Sequence, residues 1–140
     1  MDQDVLTNIE IDRPRSEVSD YVSDPENATE WSQNISKAEW RSPKPLSAGS
    51  EFAFEATFMD ETSEYTYQVT EYVPGESLVM SSTSGPVPME TSYRFSDTPA
   101  GGTKVELRSL APDPDVASAL EIDNRQDLAR LKSILEDGGS

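Results

Sequence analysis

Cysteine and histidine are both missing from this 140-residue chain. Without cysteine it has neither disulfides nor a thiolate site. Without histidine it lacks the residue most often used as a general base near neutral pH. No GxSxG or SxxK context is present either, so nucleophilic hydrolysis is not expected. Gly101-Gly102 sits at a hairpin signal and not ahead of a helix, which argues against a phosphate cradle. Positive charge is scarce: 11 Lys and Arg stand against 27 Asp and Glu, a net charge of −16. That excludes a general affinity for nucleic acid or anionic membranes. No apolar run is long enough for a signal peptide or a membrane span, which points to a cytoplasmic protein without membrane insertion.

What is present is acidic and evenly patterned. A sphere of roughly 18 Å radius carrying this charge repels itself by on the order of 9 kcal/mol at physiological salt, and by about half that in molar salt. Few Lys, abundant Asp and Glu, and Thr/Ser-rich strands fit a halophilic protein in a high-salt cytoplasm. With 34% hydrophobic and 8% aromatic residues, the chain has enough for one domain that buries about two-thirds of its unfolded surface. That domain is expected over residues 1–137, with 138–140 as a flexible tail.

The longest signal is at the C-terminal end. Asp113 reads as an N-cap, Pro114 as the first helical residue, and Asp115 lies in the positive first turn. Val116, Leu120, Leu128, Leu131 and Leu135 recur at helical spacing and form one apolar stripe, and Gly138 supplies a stop. A helix from Asp113 to Glu136 spans roughly 35 Å and needs a broad surface to lie on. The rest of the chain supplies strands. Asp4 to Asp12 alternates, with Val5, Ile9 and Ile11 on one face. Pro14 opens a short helix to Ser23, and Asp24-Pro25 opens a second that ends at Trp31.

Six further strands follow, at Ser36–Arg41, Glu51–Met59, Ser63–Tyr72, Ser77–Ser84, Met89–Phe95 and Thr103–Leu110. Pro/Gly turns and short connections join them and imply antiparallel pairing. Each strand has one apolar face, and the final helix is expected to cover those faces.

In this order, the stretches IEIDRPRSEVSDYVSDPENATEW, YQVTEYVPGESLVMSSTSGP, SYRFSDTPAGGTKVEL and DLARLKSILED resemble the polyketide cyclase/dehydrase branch of the SRPBCC, or START-like, superfamily. The most recognisable parts are D-P-x-N-x-x-x-W (Asp24 to Trp31) and L-x-x-L-K-x-x-x-E (Leu128 to Glu136). The resemblance implies an α+β helix-grip fold: a seven-stranded antiparallel sheet curved around a long C-terminal helix, with two short helices after strand 1 and a hydrophobic cavity between sheet and helix. It implies binding of a small hydrophobic molecule, with cyclisation or dehydration in a minority of members. The link Ala111–Asp113 is shorter than in many relatives, so either the cavity entrance is narrower or the helix begins later.

The candidate ligand contacts are the aromatics Trp31, Phe52, Phe54, Phe58, Tyr67 and Tyr93, with Met80 and Leu120 on the same faces. Three polar residues stand at inward positions: Ser82 in phase with Leu78 and Met80, Thr91 before Tyr93, and Asn124 within the helix stripe. A buried Asn without partners costs roughly 1–3 kcal/mol, so Asn124 marks either a polar site or a bend or exposed stretch of the helix. The acidic pairs Asp113/Asp115 and Asp123/Asp127 read as solvated faces rather than metal ligands.

The expected function is binding or carrying of a lipid, polyketide or quinone-like molecule, by a monomer or weak dimer without cofactor. The alternatives are a cyclase/dehydratase using Tyr93 or Glu90 as acid/base, and a protein-interaction module with an exposed apolar patch. A cavity without a carboxylate fits the carrier, and a buried Asp or Glu facing the cavity fits the enzyme.

Overall fold

In a computed structural model, residues 3–32, 35–43, 47–58, 61–84, 90–111 and 113–138 are described. Strand β1 (Gln3–Ile11) is followed by helix α1 (Arg15–Ser23), a 3-10 turn at Pro25–Asn27 and helix α2 (Ala28–Trp31). Strands β2 (Ile35–Trp40), β3 (Glu51–Phe58), β4 (Glu61–Val73), β5 (Ser77–Ser84), β6 (Glu90–Asp97) and β7 (Thr103–Ala111) lead to helix α3 (Pro114–Gly138). The strands form one antiparallel sheet in the order β1-β7-β6-β5-β4-β3-β2. This is the helix-grip architecture expected from the sequence.

Several boundaries differ by one or two residues. Strand β4 extends beyond Ser63–Tyr72 at its N-terminal end because Glu61 and Thr62 pair with Phe58 and Thr57. Strand β6 reaches Asp97, which pairs with Thr103. Pro14 is the N-cap of α1 and not its first residue, with an extended ψ of 148°. The Asp24 side chain caps the 3-10 turn by accepting from the Glu26 N–H over 3.0 Å. Register shifts at Ile35/Lys37, Thr66/Tyr67 and Val69/Glu71 are of the kind that bends a sheet.

Both ends of α3 are fixed by named contacts. Asp113 Oδ1 accepts from the Val116 N–H at 2.9 Å, so the helix begins where the sequence places it, despite the short link. At the other end Arg13 Nε donates to the Leu135 carbonyl at 2.9 Å and its Nη2 to that of Glu136 at 3.0 Å. These are two of the carbonyls a helix end leaves without partners. The β1–α1 corner is tight elsewhere too. A Cβ on Gly102 would lie 2.5 Å from the Ile11 carbonyl oxygen, so only glycine fits where the β6–β7 turn crosses it.

The space between sheet and helices is filled unevenly. Leu128, Leu131 and Leu135 of α3 pack with Ile11, Val18 and Val105 in the main core. Val116 and Leu120 form a smaller cluster with Val5 and Ala111. The helix therefore does not cover the whole apolar face as expected. It lies along β1 and β7, while α1 and α2 close other parts. Between the two clusters the apolar stripe is interrupted by Asn124 and Asp127, both buried.

Candidate functional site

Where the stripe is interrupted, the structure has a cavity of about 130 Å³, close to the ~150 Å³ of cavities that admit a benzene ring. One wall is aromatic. Phe52 and Phe54 of β3 and Tyr67 of β4 share a face because β-strand side chains alternate. Their ring centroids lie 5.1 Å apart (Phe52–Phe54) and 5.7 Å apart (Phe54–Tyr67). Trp31 of α2 meets Tyr93 of β6 edge-on at 6.1 Å, a favourable arrangement for two rings. Met80 and Thr91 complete the sheet side, and Leu120 stands at the helix side.

The facing wall is polar. Asn124 is 8% exposed and its Nδ2 donates to Ser109 Oγ of β7 at 3.1 Å. It is thus a buried, partnered residue of the cavity wall, and not a bend or an exposed stretch. Asp127 is 7% exposed, and Ser32 Oγ donates to its Oδ2 at 3.0 Å. Asp123 lines the same wall. The sequence reading of Asp123/Asp127 as a solvated pair is therefore corrected. With Leu120, Asn124 and Leu131, Asp127 follows a spacing of four, three and four, which turns it inward. Asp113 and Asp115 are exposed, as expected, with Asp113 spent on the cap.

Burial pushes the phenols of Tyr67 and Tyr93 well above their ordinary value, and at Tyr93 the Asp127 carboxylate adds to the rise. Both are therefore neutral hydrogen-bond donors at neutral pH. The indole N–H of Trp31 is buried without a hydrogen-bond partner. Among the described residues no group of three or more acidic side chains is placed to hold a metal ion.

Of the sequence candidates, Trp31, Phe52, Phe54, Tyr67, Met80, Thr91, Tyr93, Leu120 and Asn124 line this one cavity. Ser82 is not among the lining residues; it is half-buried further along β5, paired with Tyr67 across the strands. The side chain of Phe58 lies outside what the structure describes. Lining residues not singled out include Ala28 of α2, Ser32 at its C-cap and Ser109 of β7. The first two are brought in by the way α2 folds back on the sheet, which no local pattern reveals. Ser109 is in phase with Val105 and Leu107, and that inward spacing was the available signal.

A sequence profile for the family described as polyketide cyclase/dehydrase and lipid transport matches residues 2–136. The chain belongs to that family. No protein of curated function matches the sequence. Among solved structures, a START superfamily protein from Mycobacterium smegmatis superposes with a TM-score of 0.84 at 13% identity, covering 96% of this chain and 97% of its own. The Zhui aromatase/cyclase from Streptomyces sp. R1128 gives 0.82 at 14%, covering 97% and 94%. A protein from the dynemicin biosynthetic locus gives 0.75 at 16%, covering 96% of this chain, which spans about half (48%) of that protein's length. At these identities the likeness is one of fold. Family and fold are consistent with hydrophobic-ligand binding or polyketide cyclase activity.

Proposed function

We propose that this protein binds a small, mostly apolar molecule in the cavity between the β3–β6 face and α3. The observation that carries this reading is the pairing of an aromatic wall with a polar one across a space that side chains leave unfilled. The rings supply burial, and Asn124, Tyr93 and Thr91 set orientation. The size of the space favours a one-ring or two-ring molecule over a long acyl chain. Native mass spectrometry of protein isolated from its own host tests this. A co-purifying molecule of one or two rings is expected. Protein that arrives empty and binds no apolar ring compound in solution would contradict it.

One observation favours a second reading, a cyclase/dehydratase. Asp127 is a buried carboxylate in the cavity wall beside Tyr93. In that reading Tyr93, held neutral, donates a proton while Asp127 accepts one. Glu90, the other sequence candidate, is not among the lining residues. A carrier returns its ligand unchanged, whereas a dehydratase returns it lighter by one water. The interaction-module reading gains no such support: the large exposed apolar residues among those described, Leu6, Val73 and Ile122, stand on three different elements, β1, β4 and α3.

A further inference from the structure

One wall of the cavity is built unlike the others. On the sheet side β3 to β6 are paired along their lengths, and α3 is fixed at both ends. The remaining wall is the strap Pro25–Trp31, the 3-10 turn and α2, which sets Pro25, Ala28 and Trp31 against the cavity. Helices of three and four residues have no stability of their own. Three bonds tie the strap to α1, α3 and β2 through exposed side chains. Tyr21 Oη donates to Glu30 Oε1 at 2.5 Å, Arg130 Nε to the Glu30 carbonyl at 2.6 Å, and Trp40 Nε1 to Glu26 Oε2 at 3.2 Å. Water replaces bonds of this kind at little cost. Asn27 Nδ2 adds a bond to the Tyr21 carbonyl at 3.1 Å, close to the α1 end.

The strap ends at two residues with extended backbone, Asp24 (ψ 109°) and Ser32 (ψ 111°), and Ser32 is anchored to Asp127. In place, the strap also carries a cost. The Trp31 indole N–H is buried without a hydrogen-bond partner, and a donor in that state regains water when it is uncovered. We infer that Pro25–Trp31 lifts about Asp24 and Ser32, so that the cavity accepts rings too large for its volume of about 130 Å³. Lifting breaks the three exposed bonds, parts Trp31 from its edge-on contact with Tyr93 and returns the indole N–H to water. The sheet and α3 stay in place. The inference rests on the cavity being a ligand site, as proposed above.

Two probes test it: p-xylene, with one ring, and phenanthrene, with three fused rings. Hydrogen exchange of the Trp31 indole N–H and of the Ala28–Trp31 amides is followed by NMR with each probe bound. With phenanthrene these groups should exchange at least about fivefold faster than with p-xylene, while the amides of β4 and β5 keep their rates. Arg130→Ala and Tyr21→Phe, both outside the cavity lining, loosen the strap from the outside. Each should raise affinity for phenanthrene about threefold and leave that for p-xylene within about 1.5-fold. Phenanthrene bound with the strap as protected as with p-xylene overturns the inference, as do variants that leave the ratio of the two affinities unchanged. Wild type and variants that bind p-xylene and refuse phenanthrene also overturn it, and leave the ligand site standing. Binding of neither probe sinks both. Should a variant not fold, the wild-type exchange rates decide.

Discussion

The two halves of α3 face the same sheet and do opposite things. From Leu128 to Leu135 the helix presents leucines that meet Ile11, Val18 and Val105, and Leu131 is wholly buried. From Leu120 to Asp127 it presents Asn124 and two carboxylates to aromatic rings it does not touch closely enough to exclude a cavity. Both stretches keep helical phase. The difference is chemical: large apolar side chains fill the space in one half, and short polar ones leave it open in the other. Stability is concentrated at the C-terminal half, and the proposed ligand site lies at the middle.

That contrast predicts an ordered set of effects. The largest is on stability, from Leu131→Ala. Its side chain is fully buried, and the loss of burial plus the cavity left behind should cost about 2–5 kcal/mol in denaturant melts. A loss below about 1 kcal/mol would mean that the two halves are not packed differently.

Next comes Asn124→Leu in the open half. The added bulk occupies part of the cavity, so affinity for p-xylene should fall about tenfold. Stability should stay within about 1–2 kcal/mol, because the burial gained is set against the hydrogen bond to Ser109. Raised stability with unchanged affinity would remove Asn124 from the site. Asp113→Ala tests the helix start that both halves share. It should cost about 1 kcal/mol, the usual value of an N-cap, without altering ligand affinity.

A smaller effect separates the halves by pH. Tyr93 and Tyr67 hold their protons more tightly folded than unfolded. Their contribution is whole below the unfolded phenol value near 10 and is lost as pH rises above it, because the unfolded chain then binds fewer protons. Tyr93→Phe should therefore flatten the fall in stability above about pH 10. An unchanged alkaline slope would place that fall elsewhere. At the clamped end of α3 the sign reverses. The Asp12 N–H and Lys132 hold the Glu136 carboxyl below its ordinary range. Its contribution is present above the unfolded carboxylate value and lost as pH falls through the folded one, so Glu136→Gln should slightly soften the acid limb of the melting curve.

The filled half was legible in the sequence and the open half only partly. Leucines at helical spacing, alternating strands, the Asp113 cap and the turn signals each act over a few residues, and they gave the element order and the inward faces. The aromatic wall followed from period-two alternation in β3 and β4. Asp127 is hard to read from the sequence because composition masks phase: in so acidic a chain a carboxylate pair looks like surface. Its i+3 and i+7 relation to Asn124 and Leu120 already turned it inward. Trp31 was identified, but its unpaired N–H and the closeness of Ser32 to Asp127 depend on where α2 packs, ninety-five residues away along the chain. Local patterns do not carry such distances.

The most direct measurement is a set of intermolecular NOEs from protein-bound p-xylene. The account predicts cross-peaks from the ligand methyls to Phe54, Tyr67, Met80 and Leu120, and none to Leu131 or Val105 in the packed half. Cross-peaks confined to the packed half or the outer surface, with none to those four residues, would contradict it.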